Sequence, residues 1–280
     1  MNERNAPDAP PGWGKDDLTW FFDLFRGNVY GSFHNLPREY HCLRLVDEGY
    51  LGICGTLKDD RDWMRSLFIH KAHSIFRAGA HLAMGGQFSE VFVMLRACLE
   101  SALCAHYLHV HEDEQPLWLA RHESEENRKK VRRKFQSGRL KEELRRADEP
   151  TFDRVNALYE MCIDLGGHPN EKWLTSTLRR RGGMDVTVAR EIAGGIAGAG
   201  GEGAGGEVAE GEGWYTQYLT NDDVLLVFAL TNCARVGLAA LLVFRHLFPG
   251  RWAALRGRDD LLGLEQFLFA EGYEREWNGS

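Results

Sequence analysis

The hydrophobic positions of this chain repeat with the helical period almost throughout. Two segments, 88–110 and 224–248, are apolar nearly all round, which predicts helices that are buried on every side. Amphipathic segments that begin at capping residues or prolines predict further helices before, between and after them. Sustained alternation of polar and apolar residues, which would predict strands, is almost absent. The pattern therefore predicts an all-α fold, a multi-helix bundle.

Capping residues, glycines and prolines give the expected helix boundaries. We predict helices over about 17–25, 37–49, 61–84, 88–110, 117–135, 137–147, 151–165, 171–181 and 221–248, with one or two more within 251–277. A loop is expected over 27–37. The pair Gly85-Gly86 is expected to end the helix that begins near residue 61.

A sharp change in composition precedes the last helices. Residues 182–213 are mainly Gly, Ala and Glu and include no aromatic side chain. Each glycine costs a helix about 1 kcal/mol relative to alanine, and such a stretch buries too little surface to fold alone. We predict a glycine-rich flexible insertion within a single helical domain, 15–280, after a disordered lead, 1–14. The apolar 224–248 helix needs partners on every side, which favours one domain over two.

The composition is that of an ordinary globular protein, with 44% hydrophobic and 27% charged residues. A net charge of −7 argues against a general nucleic-acid binder. The six cysteines contain no Cys-x-x-Cys pair and are typical of reduced core residues. The N-terminus has no apolar signal segment. We therefore expect a cytoplasmic protein.

The 224–248 segment is long and apolar enough to cross a bilayer. Asn232 and Arg235 lie near its middle, however, and a central arginine costs about 2.5–3.5 kcal/mol on insertion scales. A buried core helix is therefore the favoured interpretation, and membrane attachment is not expected.

Arg96 and Glu100 lie one helical turn apart within the apolar 88–110 segment, and therefore share a face. Charged side chains rarely occupy such surroundings unless they are paired. One interpretation is a buried structural pair that ties helices together, with Arg121 or Tyr159 as a further partner. The other is that the pair lines a functional pocket.

His168 is the titratable residue that such a pocket would use. It lies in the loop 166–170, between a pair of glycines and Pro169, which favours an extended backbone at His168. A histidine so held can act as a general base or a ligand. It can equally cap the preceding helix and donate to Glu100, and the sequence leaves both roles open.

The sequence 95–100, Leu-Arg-Ala-Cys-Leu-Glu, the later helix with Arg121 and the turn His168-Pro169-Asn170 resemble a family of uncharacterised bacterial all-helical proteins. Its members carry a Leu-Arg-x-x-x-Glu helix and a His-Pro-Ser/Asn turn, and the family is distantly similar to the HEPN superfamily of nucleotide-binding and RNA-cleaving domains. The resemblance covers 69–170 and, more loosely, the helix from residue 221. It implies that Arg96, Glu100 and His168 form one polar cluster.

The chain departs from the ribonucleases of that superfamily, which carry an arginine and a histidine a few residues apart on one helix. No arginine stands among the residues 161–167 that precede His168, and Arg65 with His70 fits the spacing on a different helix. The resemblance therefore implies first a binding or interaction module of HEPN-like type, in a bacterial stress or phage-defence setting.

The alternative that the resemblance leaves is an RNA- or nucleotide-processing enzyme. In it, His168 would act as acid and base, Arg96 would stabilise a phosphate, and Glu100 would orient either one. The further binding residues would be Arg121, Tyr159 and Asn170. The sequence leaves open whether the protein is an enzyme.

Two other clusters have simpler explanations. His106, His109 and His111 have a spacing that zinc could use, but they are expected at the surface, near the negative end of the helix dipole. We therefore expect no metal and no cofactor. Ten Lys and Arg residues within 128–146, interleaved with glutamates, are typical of a solvated helix face, with nucleic-acid contact as the alternative. The oligomeric state is open, a homo-oligomer included.

Overall fold

The computed structural model describes residues 9–55, 63–167, 178–180, 214–216, 219–220 and 223–270. Within those ranges the chain forms eleven α-helices, so the all-α prediction is confirmed. The helices are α1 (Asp17–Asn35), α2 (Pro37–Cys54), α3 (Trp63–Met84), α4 (Phe88–Val110), α5 (Gln115–Leu119), α6 (Glu125–Lys134), α7 (Ser137–Ala147), α8 (Glu149–Cys162), α9 (Asp223–Leu247), α10 (Pro249–Ala253) and α11 (Arg258–Leu268).

Helices α4 and α9 form the centre of the bundle. They pack against each other, α3 packs on both, and α2 and α8 also contact α9, so that one continuous hydrophobic core runs between them. Both are long and apolar enough to span a membrane by length and composition, but 61% of the apolar window of α4 and 72% of that of α9 is buried inside the fold. This burial is what the sequence predicted for a core helix over 224–248, while the cytoplasmic location stays a prediction.

The polar residues in the middle of α9 have interaction partners within the protein. The Asn232 side-chain amide donates to the carbonyl of Phe228 at 2.9 Å, and Arg235 donates to the Asn232 side-chain oxygen at 3.3 Å. The Arg235 guanidinium also lies over the Phe269 ring, 5.3 Å from its centroid. Buried polar groups are tolerated when they find such partners.

The first two helices are longer than the sequence predicts. Asp16 caps α1 by accepting from the Thr19 amide at 2.9 Å, as its position before an apolar segment indicates. The helix then continues through Gly27 to Asn35, so the loop predicted over 27–37 is wrong. Helix α2 likewise continues past Gly49. Its second internal glycine, Gly52, lies against the segment that follows α10, where an added Cβ atom would be 2.1 Å from the Leu255 side chain.

Three further predictions need correction or lie outside the described residues. The helix expected over 117–135 is interrupted, because Ser124 accepts from the Asn127 amide and begins α6 separately. Within the expected helix 171–181, the described part is a strand, β1 (Leu178–Arg180), which pairs antiparallel with β2 (Trp214–Thr216). The insertion 182–213 lies outside the described residues, and its flexibility stays a prediction.

Candidate polar site between α4, α7 and α8

Helices α4, α7 and α8 contact one another pairwise, and polar side chains from all three meet there. Helix α4 supplies Arg96 and Glu100, α7 supplies Lys141, and α8 supplies Tyr159. We call these four residues the polar site.

The carboxylate of Glu100 is the centre of the polar site. The Arg96 Nε atom donates to Glu100 Oε1 at 2.9 Å, and the Tyr159 hydroxyl donates to the same oxygen at 2.9 Å. The guanidinium of Arg96 also lies 5.4 Å from the centroid of the Tyr159 ring. The structure therefore brings Tyr159, one of the two partners considered from the sequence, to the charged pair.

The charged pair is less buried than the sequence indicates. The Arg96 side chain is 23% exposed and that of Glu100 is 43% exposed. The reason is that one stripe of α4, which runs along residues 93, 96, 97, 100 and 101, is only partly covered by its neighbours. The expectation that both charges are buried is therefore wrong for Glu100, and the polar site is partly open to water.

The protonation states in the polar site follow from these contacts. Burial raises the pKa of Tyr159, and Glu100 acts in the same direction, so the phenol stays protonated and donates at neutral pH. Partial burial acts to lower the pKa of Arg96, but Tyr159 and Glu100 outweigh it and raise the pKa above its ordinary value. Neither group titrates near neutral pH.

Lys141 completes the polar site, although the sequence showed it only as one cation among ten. Its Nζ atom lies 4.7 Å from the centroid of the Tyr159 ring and donates to Asn156 Oδ1 at 2.8 Å and to Glu160 Oε1 at 2.9 Å. Asn156, Tyr159 and Glu160 share one face of α8 by their spacing. This spacing could have indicated from the sequence that the face of α8 with Asn156, Tyr159 and Glu160 binds a cationic side chain.

Arg121 lies near the polar site without joining it. Burial raises the pKa of Cys104, one turn beyond Glu100, to about 12, while the neighbouring charge of Arg121 acts to lower it. The Nε atom of Arg121 is buried and finds no hydrogen-bond partner in the described part of the chain. Arg121 is therefore near Cys104, but no ion pair joins Arg121 and Glu100.

His168 and Asn170 lie outside the described residues, so the structure does not test their predicted place in the site. The chain that leads to them is described as far as a short π-helix, Ile163–Gly167. Gly166 lies against the first turns of α4, where an added Cβ atom would be 2.3 Å from the carbonyl oxygen of Ser89 and 3.1 Å from Phe92 Cβ. Phe92 precedes Arg96 by one helical turn.

The sequence predicted that the histidines at the end of α4 all lie at the surface, and this prediction is wrong. His106 is buried, and burial lowers its pKa to about 4. His109 is partly buried, and His111 lies 3.0 Å from a carboxylate oxygen of Glu143. Among the described residues, no group of three His, Cys, Asp or Glu side chains is placed to hold a metal ion.

The basic stretch 128–146 is largely neutralised by neighbouring glutamates. Seven of its ten cations form ion pairs, with Glu114, Glu125, Glu126, Glu142, Glu143 or Glu160 as partners. The other three, Lys129, Arg132 and Arg133, are exposed on α6 and form no ion pair within the described part of the chain. We call these three residues the free α6 cations.

The comparisons with known proteins add no relative. The chain matches no protein-family model, no curated protein and no solved structure. The resemblance to HEPN-like proteins therefore stays a prediction from the quoted motifs.

Proposed function

We propose that the protein is a non-catalytic binding or interaction module of HEPN-like type, acting in the cytoplasm. The bacterial stress or phage-defence setting rests on the sequence resemblance alone. The observation that supports a binding role most directly is that the groups of the polar site are engaged with one another, with Tyr159 and Arg96 both donating to Glu100.

Acid-base catalysis needs a group whose pKa lies near the working pH and whose proton is free to move. Within the polar site, Tyr159 and Arg96 have pKa values that are raised further above neutrality. Lys141 is fixed by an amide and a carboxylate of α8. These features favour a rigid recognition surface, in which the exposed part of Glu100 and the two cations contact a partner.

Nucleic acid is the partner that the resemblance suggests, and the free α6 cations are the groups available for phosphate contact. Because the rest of the basic stretch is paired with glutamates, we expect few phosphate contacts and therefore a shallow salt dependence of binding. An interaction with few phosphate contacts fits a module that recognises its partner through several weak contacts.

A nuclease or nucleotide-processing enzyme is the second candidate, and the position of Gly166 favours it. Gly166 precedes His168 by two residues in the sequence. Gly166 itself contacts Ser89 and Phe92. In this candidate, His168 acts as acid and base, Arg96 stabilises a phosphate and Glu100 orients either one.

One assay separates the two functions. Purified wild-type protein and the variant His168→Ala are incubated with mixed RNA and nucleotides, and products are followed by chromatography. The binding module predicts no turnover by the wild type above a blank preparation. Turnover that is lost in the His168→Ala variant, with an unchanged thermal unfolding temperature, would establish the enzyme instead.

A further inference from the structure

A cavity of about 620 Å³ lies between α1, α2 and α3, and none of the four polar-site residues lines it. Its walls are apolar, with Val29 from α1, Leu43 from α2, and Phe76, Ala80 and Met84 from α3. Small-molecule sites are typically concave, mostly apolar and about 300–1,000 Å³ in volume. The cavity therefore has the size and the lining of a ligand site.

Two arginines and one carboxylate give the cavity its charge. The carboxylate of Asp47 already has hydrogen-bond partners. Its Oδ1 atom accepts from Arg77 Nε at 2.7 Å and its Oδ2 atom from Arg77 Nη2 at 2.9 Å, and His73 Nε2 lies 2.6 Å from Oδ1. These bonds hold the guanidinium of Arg77 in place and leave its Nη1 atom for another acceptor. The Arg77 side chain is 54% exposed, so this atom is accessible at the edge of the cavity.

Arg44 is the second cation of the lining. Its guanidinium pairs with Glu48 one turn later on α2, and both side chains are about half exposed. Solvated pairs of this kind contribute little to stability, so a bound anion can replace Glu48 at modest cost. His81 also lines the cavity.

We propose that the α1–α3 cavity binds an amphipathic carboxylate, with its hydrocarbon chain among the apolar walls and its carboxylate on Arg77 and Arg44. The apolar walls favour a hydrocarbon body. An anionic head group is favoured because Arg77 keeps its Nη1 atom for a further acceptor and because the partner of Arg44, Glu48, is solvated and can be replaced. Tyr30 and Phe33 of α1 remain largely exposed beside the cavity and extend its apolar surface. This inference is independent of the function proposed for the polar site.

Calorimetric titration with decanoate, below its aggregation concentration, tests the proposal. Each buried methylene contributes about fourfold in affinity, so decanoate should bind on the order of tenfold more tightly than octanoate. Decyltrimethylammonium, which has the same chain and the opposite charge, should bind at least tenfold more weakly than decanoate. Equal binding of the anionic and the cationic probe would overturn the assigned head group.

Two variants test the location. Ala80→Trp fills the cavity and should abolish decanoate binding, while Arg77→Gln should weaken it at least threefold and leave the affinity difference between decanoate and octanoate unchanged. Arg26→Gln, which removes an exposed α1 cation that pairs with Asp23 outside the cavity, is the matched control and should bind as the wild type does. Circular dichroism verifies that each variant is folded.

Three results would overturn the proposal. Unchanged decanoate binding by a folded Ala80→Trp variant would place the ligand elsewhere. Failure of the wild type to bind decanoate would exclude an amphipathic carboxylate as the ligand of the cavity. This holds whether sedimentation shows the protein to be a monomer or a dimer. A dimer that Ala80→Trp dissociates would identify a second copy of the chain as the occupant.

Discussion

The hydroxyl group of Tyr159 gives the sharpest test of the contact between α4 and α8. The variant Tyr159→Phe removes one oxygen atom and keeps the ring, which is almost fully buried and contacts the side chains of Arg96 and Lys141. No cavity larger than a hydroxyl is created. The measured change in unfolding free energy therefore reports the bonds of the hydroxyl group, of which one joins Glu100 and another joins Ser137.

The magnitude follows from the surroundings of the bond. A hydrogen bond to a charged group contributes about 1.5–3 kcal/mol. Glu100 is 43% exposed, so water can replace much of what the hydroxyl supplied. We therefore expect Tyr159→Phe to lower the unfolding free energy by about 1 kcal/mol, which is below that range.

Urea denaturation followed by circular dichroism measures this change, and Tyr30→Phe is the control because the Tyr30 side chain is largely exposed. The double-mutant cycle with Glu100→Ala, which removes the acceptor, isolates the bond, and we expect a coupling of about 1 kcal/mol. A coupling indistinguishable from zero, or a Tyr159→Phe variant as stable as the Tyr30→Phe control, would refute the geometry of the polar site.

Three further predictions concern packing, pH and salt. Gly237→Ala should lower stability by about 1–3 kcal/mol in urea denaturation, because the added Cβ atom would lie 2.6 Å from the Phe76 ring. Gly263→Ala, at an exposed position of α11 where an added Cβ atom meets nothing, should raise stability by about 0.5–1 kcal/mol. Burial acts to raise the pKa of Asp148, but bonds from Thr151, His246 and Arg245 outweigh it and lower the pKa to about 2. This stabilisation, about 2 kcal/mol, is present above the unfolded pKa near 3.8 and is lost as the pH falls through about 2, so Asp148→Asn should destabilise at pH 7 and much less at pH 2. If the protein binds single-stranded RNA through the free α6 cations, replacing all three with glutamine should reduce the salt slope by about 2; an unchanged slope would exclude these cations as the phosphate contacts.

The central helices were predictable because their sequences are apolar on every side. The bounds of α4 agree with the pattern, since Gly85-Gly86 ends the preceding helix and no glycine or proline interrupts 88–110. Helix α1 was predicted too short because its glycines are weak helix formers. Its contacts with α2 and α3, which the local sequence does not show, outweigh that weakness.

The polar site was predictable only within one helix. The spacing of Arg96 and Glu100 shows that they share a face, but it does not show how much water reaches that face. The exposure of Glu100 depends on how completely α7 and α8 cover one stripe of α4, which is a property of tertiary packing. Lys141 was missed for the same reason, because its partners lie on α8 and are distant in sequence.

The account rests most directly on the claim that Tyr159 does not exchange a proton near neutral pH. Carbon-13 NMR of protein labelled at the tyrosine ring carbon that bears the hydroxyl, with Tyr159→Phe for assignment, measures its titration. We predict a midpoint above the ordinary pKa of 10.0, because burial and Glu100 both oppose ionisation. A midpoint near neutral pH would contradict the account and would make the polar site a candidate for acid-base catalysis.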